Sequence, residues 1–258
     1  MLSETELDAR AAVVEELARW AAGRIVADRP RPDQIGTKTS GADWVTETDL
    51  AVERHVRGVL RERFPEDRIV GEEYGAIEAD DPPATWYVDP VDGTTNFVHG
   101  LPLSSFSIAV RDDAGTAAGA VADPYRGEIL TALRGRGARR NGEPTRCSDA
   151  VTLVGGIFLT ELSMQSLWPG QAALMASLAA AGCVTRILGS NALSLASVGA
   201  GRALATIVDF NLVDGQAGAL VSAEAGAVVR FQGKGVLCAA PGVADAVDRL
   251  WQEARNGH

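Results

Sequence analysis

The chain has 258 residues, 46% hydrophobic and 22% charged, the composition of an ordinary globular protein with one large domain or two smaller ones sharing an interface. Only 5% of it is aromatic, so the core must be built mainly from Ala, Val and Leu. A formal net charge of −10 argues against a general nucleic-acid or anionic-membrane binder, whose affinity would come from basic patches.

The first residues, MLSETELDAR, lack a basic segment followed by an apolar core, and no apolar run reaches membrane-spanning length; a cytoplasmic protein is expected. Cys147, Cys183 and Cys238 are far apart with no C-x-x-C spacing, which points to reduced thiols rather than zinc or redox use. Ser3 with Glu6 reads as a capping box, opening a helix to about Ala27. Leu7, Ala11, Val14, Ala18, Ala21 and Ile25 give that helix one apolar stripe. A polar loop carrying Lys38 follows. A second helix begins near Asp49 and ends near Pro65, with Thr48 or Asp49 as its N-cap. Residues 68–71 form a short strand that delivers Glu72 and Glu73. Neighbours on an extended chain point to opposite sides, so only one of the two can face a given site.

Residues Trp86 to His99 read WYVDPVDGTTNFVH. Trp86, Tyr87 and Val88 look like the end of a buried strand, and Pro90, with no N–H to donate, should stop the sheet pairing. Asp89 and Asp92 sit three apart on the turn that follows, where their carboxylates can converge on one point. Without a neutralising partner they would repel, and one would be driven toward protonation. A divalent cation removes the conflict, and hard carboxylate oxygens suit Mg²⁺. Gly93, Thr94 and Thr95 then supply backbone N–H groups and two hydroxyls, the equipment of an anion pocket. A lone D-P-x-D reads more readily as a turn with a helix cap. The full run DPVDGTTNF is far more restrictive.

Segments 103–110, 116–122 and 128–133 are strand candidates joined by turns, an antiparallel meander. Gly135-Arg136-Gly137 lacks the strand and helix context of a nucleotide fingerprint and reads as a turn. Beyond it, helices are predicted over about 171–181, 191–200, 214–225 and 243–254. Strands are predicted over 152–159, 183–188, 203–209, 227–232 and 235–239, an alternation that suggests layered α/β packing. A boundary near 141–150 would divide the chain into an α+β lobe, 1–142, and an α/β lobe, 143–258. Asp214 precedes GQAGALV at a helix start, where capping alone would explain a carboxylate. There is no G-x-S-x-G or H-E-x-x-H, and His55, His99 and His258 are too scattered for a triad or a zinc set.

The run DPVDGTTNFVHG closely resembles the signature of the inositol monophosphatase-like, Mg²⁺-dependent, lithium-sensitive phosphatases. KTSGADWVTETD, IVGEEYG and DGQAGALVSAEAGAVV extend the resemblance over nearly the whole chain. It implies the α/β class, as the layered α/β/α/β/α sandwich of sugar phosphatases, commonly a homodimer, with two or three Mg²⁺ ions. Glu72, Asp89 and the Val91 carbonyl would hold one ion, and Asp89, Asp92 and Asp214 another; a third, weaker ion would lean on Glu72. Thr94, with Asp49 behind it, would orient and help deprotonate the attacking water. Gly93, Thr94 and Thr95 would hold the phosphate, with Lys38 at the rim.

The chain departs from that pattern at three places. Val213 stands where the family usually has Trp, Ile207 where inositol-specific members carry a Glu that anchors a substrate hydroxyl, and Asn191 where a small residue faces the substrate. An apolar Ile207 would present a wall to the leaving group and alter the specificity pocket. The implied function is hydrolysis of a small phosphate monoester in the manner of an inositol-1-monophosphatase, with no covalent intermediate and no nucleic-acid or membrane partner. Fructose 1,6-bisphosphate, histidinol phosphate or a nucleotide 3′-phosphate are alternative substrates. A relative that binds a phosphorylated ligand or a partner without turnover is the alternative from a different class.

Overall fold

A computed structural model describes residues 1–28, 35–37, 44–162 and 167–256; Lys38 lies outside them. Helix α1 (Glu4–Ala27) starts as its sequence dictates: the Ser3 hydroxyl accepts from the Glu6 N–H, and Glu6 accepts from Ser3 N at 2.8 Å. Of its apolar stripe, Leu7, Val14, Ala18, Ala21 and Ile25 are buried and Ala11 is half-buried; a large side chain such as Ile25 contributes about 1.5–3 kcal/mol. Arg10 pairs through Nε and Nη2 with both oxygens of Asp67, at 2.9 and 2.8 Å, and Trp86 Nε1 donates to the same carboxylate at 2.8 Å. This buried triad ties α1 to the sheet beneath it.

Strands β1 (Ile35–Thr37) and β2 (Trp44–Thr46) form a short ribbon that leads into α2 (Glu47–Arg63). The N-cap of α2 is Thr46, not Thr48 or Asp49. Asp49 is instead the third helical residue of a second capping box, because Thr46 holds its N–H and Asp49 reaches back to Thr46 N at 2.9 Å.

The first sheet comprises β3 (Arg68–Gly71), β4 (Gly75–Ile77), β5 (Thr85–Asp92), β6 (Ser105–Asp112), β7 (Gly115–Asp123), β8 (Glu128–Leu133), β9 (Ala138–Arg140) and β10 (Glu143–Thr145). Its order is β10-β9-β8-β7-β6-β5-β3-β4, antiparallel except between β3 and β5. Helix α3 (Thr94–Val98) interrupts it. The second sheet holds β11 (Ile157–Thr160), β12 (Val184–Arg186), β13 (Ala205–Asp209), β14 (Val228–Gln232) and β15 (Gly235–Ala239), in the order β12-β11-β13-β15-β14. The remaining helices are α4 (Gln171–Ala180), α5 (Asn191–Gly199), α6 (Leu212–Glu224) and α7 (Ala244–Asn256).

Helices α1 and α2 cover one face of the first sheet, and α5 and α6 lie between the two sheets. Helices α4 and α7 cover the far face of the second. The result is the expected α/β/α/β/α stack. The middle layer is tight because small residues let backbones meet. A Cβ on Gly119 of β7 would stand 3.0 Å from the Ala217 Cα of α6. All three cysteines are free thiols, as expected. Among the described residues no helix is long and apolar enough to cross a membrane.

Candidate functional site

Pro90 does not end β5. The strand runs on to Asp92, and the pairing with β6 shifts there: Asp89 stands opposite Ser107 and Asp92 opposite Ser105. Three steps along β5 thus match two along β6, which is a β-bulge with one extra residue. The donor-less proline fits inside it at no hydrogen-bond cost. In a regular strand residues three apart face opposite sides; the extra residue reverses that parity and turns Asp89 and Asp92 the same way. Ser105 and Ser107, alternate residues of β6, support the arrangement. The Ser105 hydroxyl donates to Asp92 Oδ2 at 3.4 Å, and that of Ser107 to the Asp214 carbonyl at 3.2 Å.

Just past the bulge, Gly93 has φ +89°, and a Cβ there would meet the Gly189 carbonyl at 2.7 Å. Both its conformation and its surroundings require glycine. Thr94 and Thr95 open α3, so their N–H groups have no partner within the helix. The Thr94 hydroxyl lies 3.0 Å from the Val91 carbonyl and 3.3 Å from Asp49 Oδ1. Asp49, fully buried by the Thr46 box, therefore stands directly behind Thr94. Burial pushes its carboxyl up to about 6, against the Thr46 hydrogen bonds that pull it down.

Asp214 arrives from the other sheet's side, as the third residue of α6, whose N-cap is Asn211. Its Oδ2 accepts from Asn191 Nδ2 at 3.0 Å, while its Oδ1 is buried without a hydrogen-bond partner among the described residues. Asn191 is the first residue of α5, and the start of that helix also grips Asp92. Ser190 Oγ donates to Asp92 Oδ2 at 2.5 Å, and Ala192 N does so at 2.7 Å.

Asp89, Asp92 and Asp214 each bring a carboxylate oxygen within 4.8 Å of the others. Glu72, at the end of β3, adds its charge: it raises the pKa of all three and of Asp49. Burial comes first among the causes and mutual repulsion adds to it. Asp89 is held well above the usual carboxylate range, Asp92 is pushed up to about 6 and Asp214 to about 8. A set of buried, mutually repelling hard oxygens, one of them orphaned, is what a divalent cation such as Mg²⁺ would satisfy. These residues fit that ion.

Two sequence-based expectations are placed differently by the fold. Ile207 is 1% exposed and packs with Leu174, Leu178 and Trp251 on the α4/α7 side of the second sheet. Its neighbour Val208 faces the opposite way, toward Leu195 and Val198 of α5. Strand alternation thus directs Ile207 away from Asp214, and it forms no wall of the site. Asn191, expected to face substrate, instead spends its amide on Asp214.

Three supporting residues escaped the sequence reading. Glu53 of α2, fully buried, accepts from the N–H groups of Glu73 at 2.7 Å and Tyr74 at 3.1 Å, and so fixes the turn that carries Glu72. Ser190 holds Asp92. Glu161 accepts from Leu188 N, Gly189 N and the Ser194 hydroxyl, bracing the segment that leads into α5. Asn96 Nδ2 reaches the same segment through the Leu188 carbonyl at 2.7 Å. Adjacency of Thr-Glu and of Gly-Ser in the chain gave no sign of these long-range bonds.

Comparison with known proteins bears on the family and the fold. The profile of the inositol monophosphatase family matches residues 6–257. A relative from Pasteurella multocida called Nus factor SuhB is 39% identical over 213 residues, covering 81% of this chain and 80% of its own. Among solved structures, the extragenic suppressor protein suhB from Bartonella henselae superposes with a TM-score of 0.89 at 27% identity, over 95% of this chain and 99% of its own. The Thermotoga maritima IMPase gives 0.84 at 30% identity, over 94% and 96%. With a family match from residue 6 to residue 257 and the family's layered fold around the carboxylate cluster, the chain belongs to the inositol monophosphatase family.

Proposed function

We propose that the chain is a Mg²⁺-dependent phosphatase that hydrolyses a small phosphate monoester, in the manner of an inositol-1-monophosphatase. The observation that carries this reading is the convergence of Asp89, Asp92 and Asp214 beside the Gly93–Thr95 turn. Asp89, Asp92 and Asp214 would hold one ion, and Asp89, Glu72 and the Val91 carbonyl another. When bound, Mg²⁺ supplies positive charge to a phosphoryl oxygen and lowers the pKa of a nearby water.

The chain's own residues do the rest. N–H groups at the start of α3 and the Thr95 hydroxyl bind the phosphate. The Thr94 hydroxyl, held between Val91 and Asp49, orients the attacking water and passes its proton toward the Asp49 carboxylate. No side chain need form a covalent bond to phosphorus. Lithium inhibition is expected of such a site. Lys38 would serve at its rim.

A second reading draws on the relatives called Nus factor SuhB: the chain would act as a factor for a macromolecular partner, with the cation site serving its structure. One experiment separates the two. Phosphate release is measured from a panel of polyol, sugar, amino-alcohol and nucleotide phosphates, with Mg²⁺ and with EDTA. Release that EDTA abolishes is expected. Mg²⁺ binding without turnover of any monoester would favour the second reading.

A further inference from the structure

Asn191 is an unusual residue to find at the first position of α5. Asn near a helix start normally bonds backbone N–H groups. Here that task belongs to Ser190, the N-cap, whose hydroxyl accepts from Leu193 N at 3.2 Å. The Asn191 side chain makes one hydrogen bond, from Nδ2 to Asp214 Oδ2, and its Oδ1 is buried with no partner among the described residues. For helix stability alone, Ala would serve better at this position, since Asn has the poorer propensity and the orphaned oxygen is a penalty. The side chain is therefore placed for Asp214, not for α5.

We propose that Asn191 is a positioning residue for the cation site: it engages Asp214 Oδ2, fixes the carboxylate plane, and leaves Oδ1 as the oxygen directed to the ion. This rests on the metal-site reading above. The geometry makes α5 a common mount for two ligands, one from a strand and one from another helix. The same first turn holds Asp92 through Ser190 Oγ and Ala192 N, and Asp214 through the Asn191 amide. Asp92 lies on β5 and Asp214 on α6, so their separation depends on a shared support. Removing one arm of that support lets Asp214 rotate while Asp92 stays fixed. Outer partners of metal ligands typically contribute about 10–100-fold in metal affinity.

The test uses the full chain, Mg²⁺ titration calorimetry, and melting curves with and without Mg²⁺. Asn191→Ala removes one orphaned oxygen but leaves Asp214 Oδ2 without its partner, so it is expected to melt in EDTA within a few degrees of the unmodified chain, and to bind Mg²⁺ about tenfold or more weakly. Its Mg²⁺-induced rise in Tm shrinks accordingly. Asn211→Ala serves as the structural control: Asn211 caps α6, accepting from Val213 N at 3.1 Å, three residues before Asp214. That variant should melt earlier with or without the ion, yet keep its Mg²⁺ affinity within about threefold, as expected of a lost helix cap. Mg²⁺ affinity within about twofold of the unmodified chain in Asn191→Ala overturns the proposal, given the tenfold scale for such partners. So does an equal loss of Tm in EDTA and in Mg²⁺, which marks a merely structural contact. If the unmodified chain itself fails to bind Mg²⁺, the metal reading falls, and the proposal with it.

Discussion

The Glu53 carboxylate lies against Gly71 so closely that a Cβ on Gly71 would stand 2.0 Å from Glu53 Oε1. Glu53 cannot simply withdraw. Its Oε1 also accepts from Arg57 Nη1 at 2.9 Å, and its two oxygens hold the Glu73 and Tyr74 N–H groups. The turn carrying Glu72 is therefore set by a helix residue packed onto the bare backbone of β3.

Gly71→Ala should consequently cost about 1–3 kcal/mol, the usual penalty of overpacking. For a chain of this size that is a fall in Tm of roughly 2–10 °C. Mg²⁺ affinity should fall as well, because Glu72 moves with the turn. An unchanged melting curve would mean that Glu53 is free to rearrange.

Asp89→Asn should have opposite effects on activity and on the stability of the metal-free protein. Mg²⁺-dependent phosphate release should drop by more than about a hundredfold, since the residue is assigned to both ion positions. Melting in EDTA should rise, because Asn is neutral without a proton, whereas burial and the charges of Glu72, Asp92 and Asp214 make Asp89 costly to ionise in the folded state. A variant with near-normal turnover, or one that melts earlier in EDTA, would remove Asp89 from the metal centre.

Ile207 illustrates what the sequence could not tell. The strand over 203–209 is legible from its apolar run, but which of its residues faces α5 depends on register with β11 and β15, and a shift of one residue exchanges the faces. Ile207 against Leu237 settles it. Ile207→Glu should thus unfold the protein or cost more than about 4 kcal/mol, by burying a charge with no partner. Ile207→Val should cost about 0.5–1.5 kcal/mol and leave substrate preference alone. Melting curves and the ratio of kcat/KM for two monoesters check both.

The same distinction runs through the chain. Ser3 and Glu6 were readable because the capping box is local, and the meander of β6, β7 and β8 because its turns announce it. Resemblance sets Asp49 behind the signature, and its Oδ1 lies 3.3 Å from the Thr94 hydroxyl; its local role differs from the expected cap, because the box begins at Thr46, two or three residues earlier. The end assigned to β5 at Pro90 was wrong because a bulge is a property of two strands, and only β6 reveals it. Glu53, Ser190 and Glu161 have partners 20 or more residues away, and no pattern in one sequence marks such pairs.

The last prediction concerns pH in the absence and presence of the cation. In the unfolded chain an Asp titrates near 3.9. In the folded chain burial and neighbouring charges raise Asp92 to about 6 and Asp214 to about 8. Between the unfolded and folded values the folded state binds more protons, so stability must fall as pH rises. The penalty begins near pH 4, grows through 6 as Asp92 ionises, and grows further toward 8 as Asp214 follows. In EDTA, then, Tm should decline from pH 5 to pH 8. Mg²⁺ reverses the cost, since the ion binds the ionised carboxylates and competes with their protons. Its stabilising increment should therefore be small at pH 5 and largest at pH 8, and Tm in saturating Mg²⁺ should be nearly flat. Asp89→Asn and Asp214→Asn should each flatten the EDTA curve by removing a member of the repelling set. A Tm in EDTA that rises over the same range, or a Mg²⁺ increment that shrinks with pH, would mean that these carboxylates are neutralised by something other than a cation.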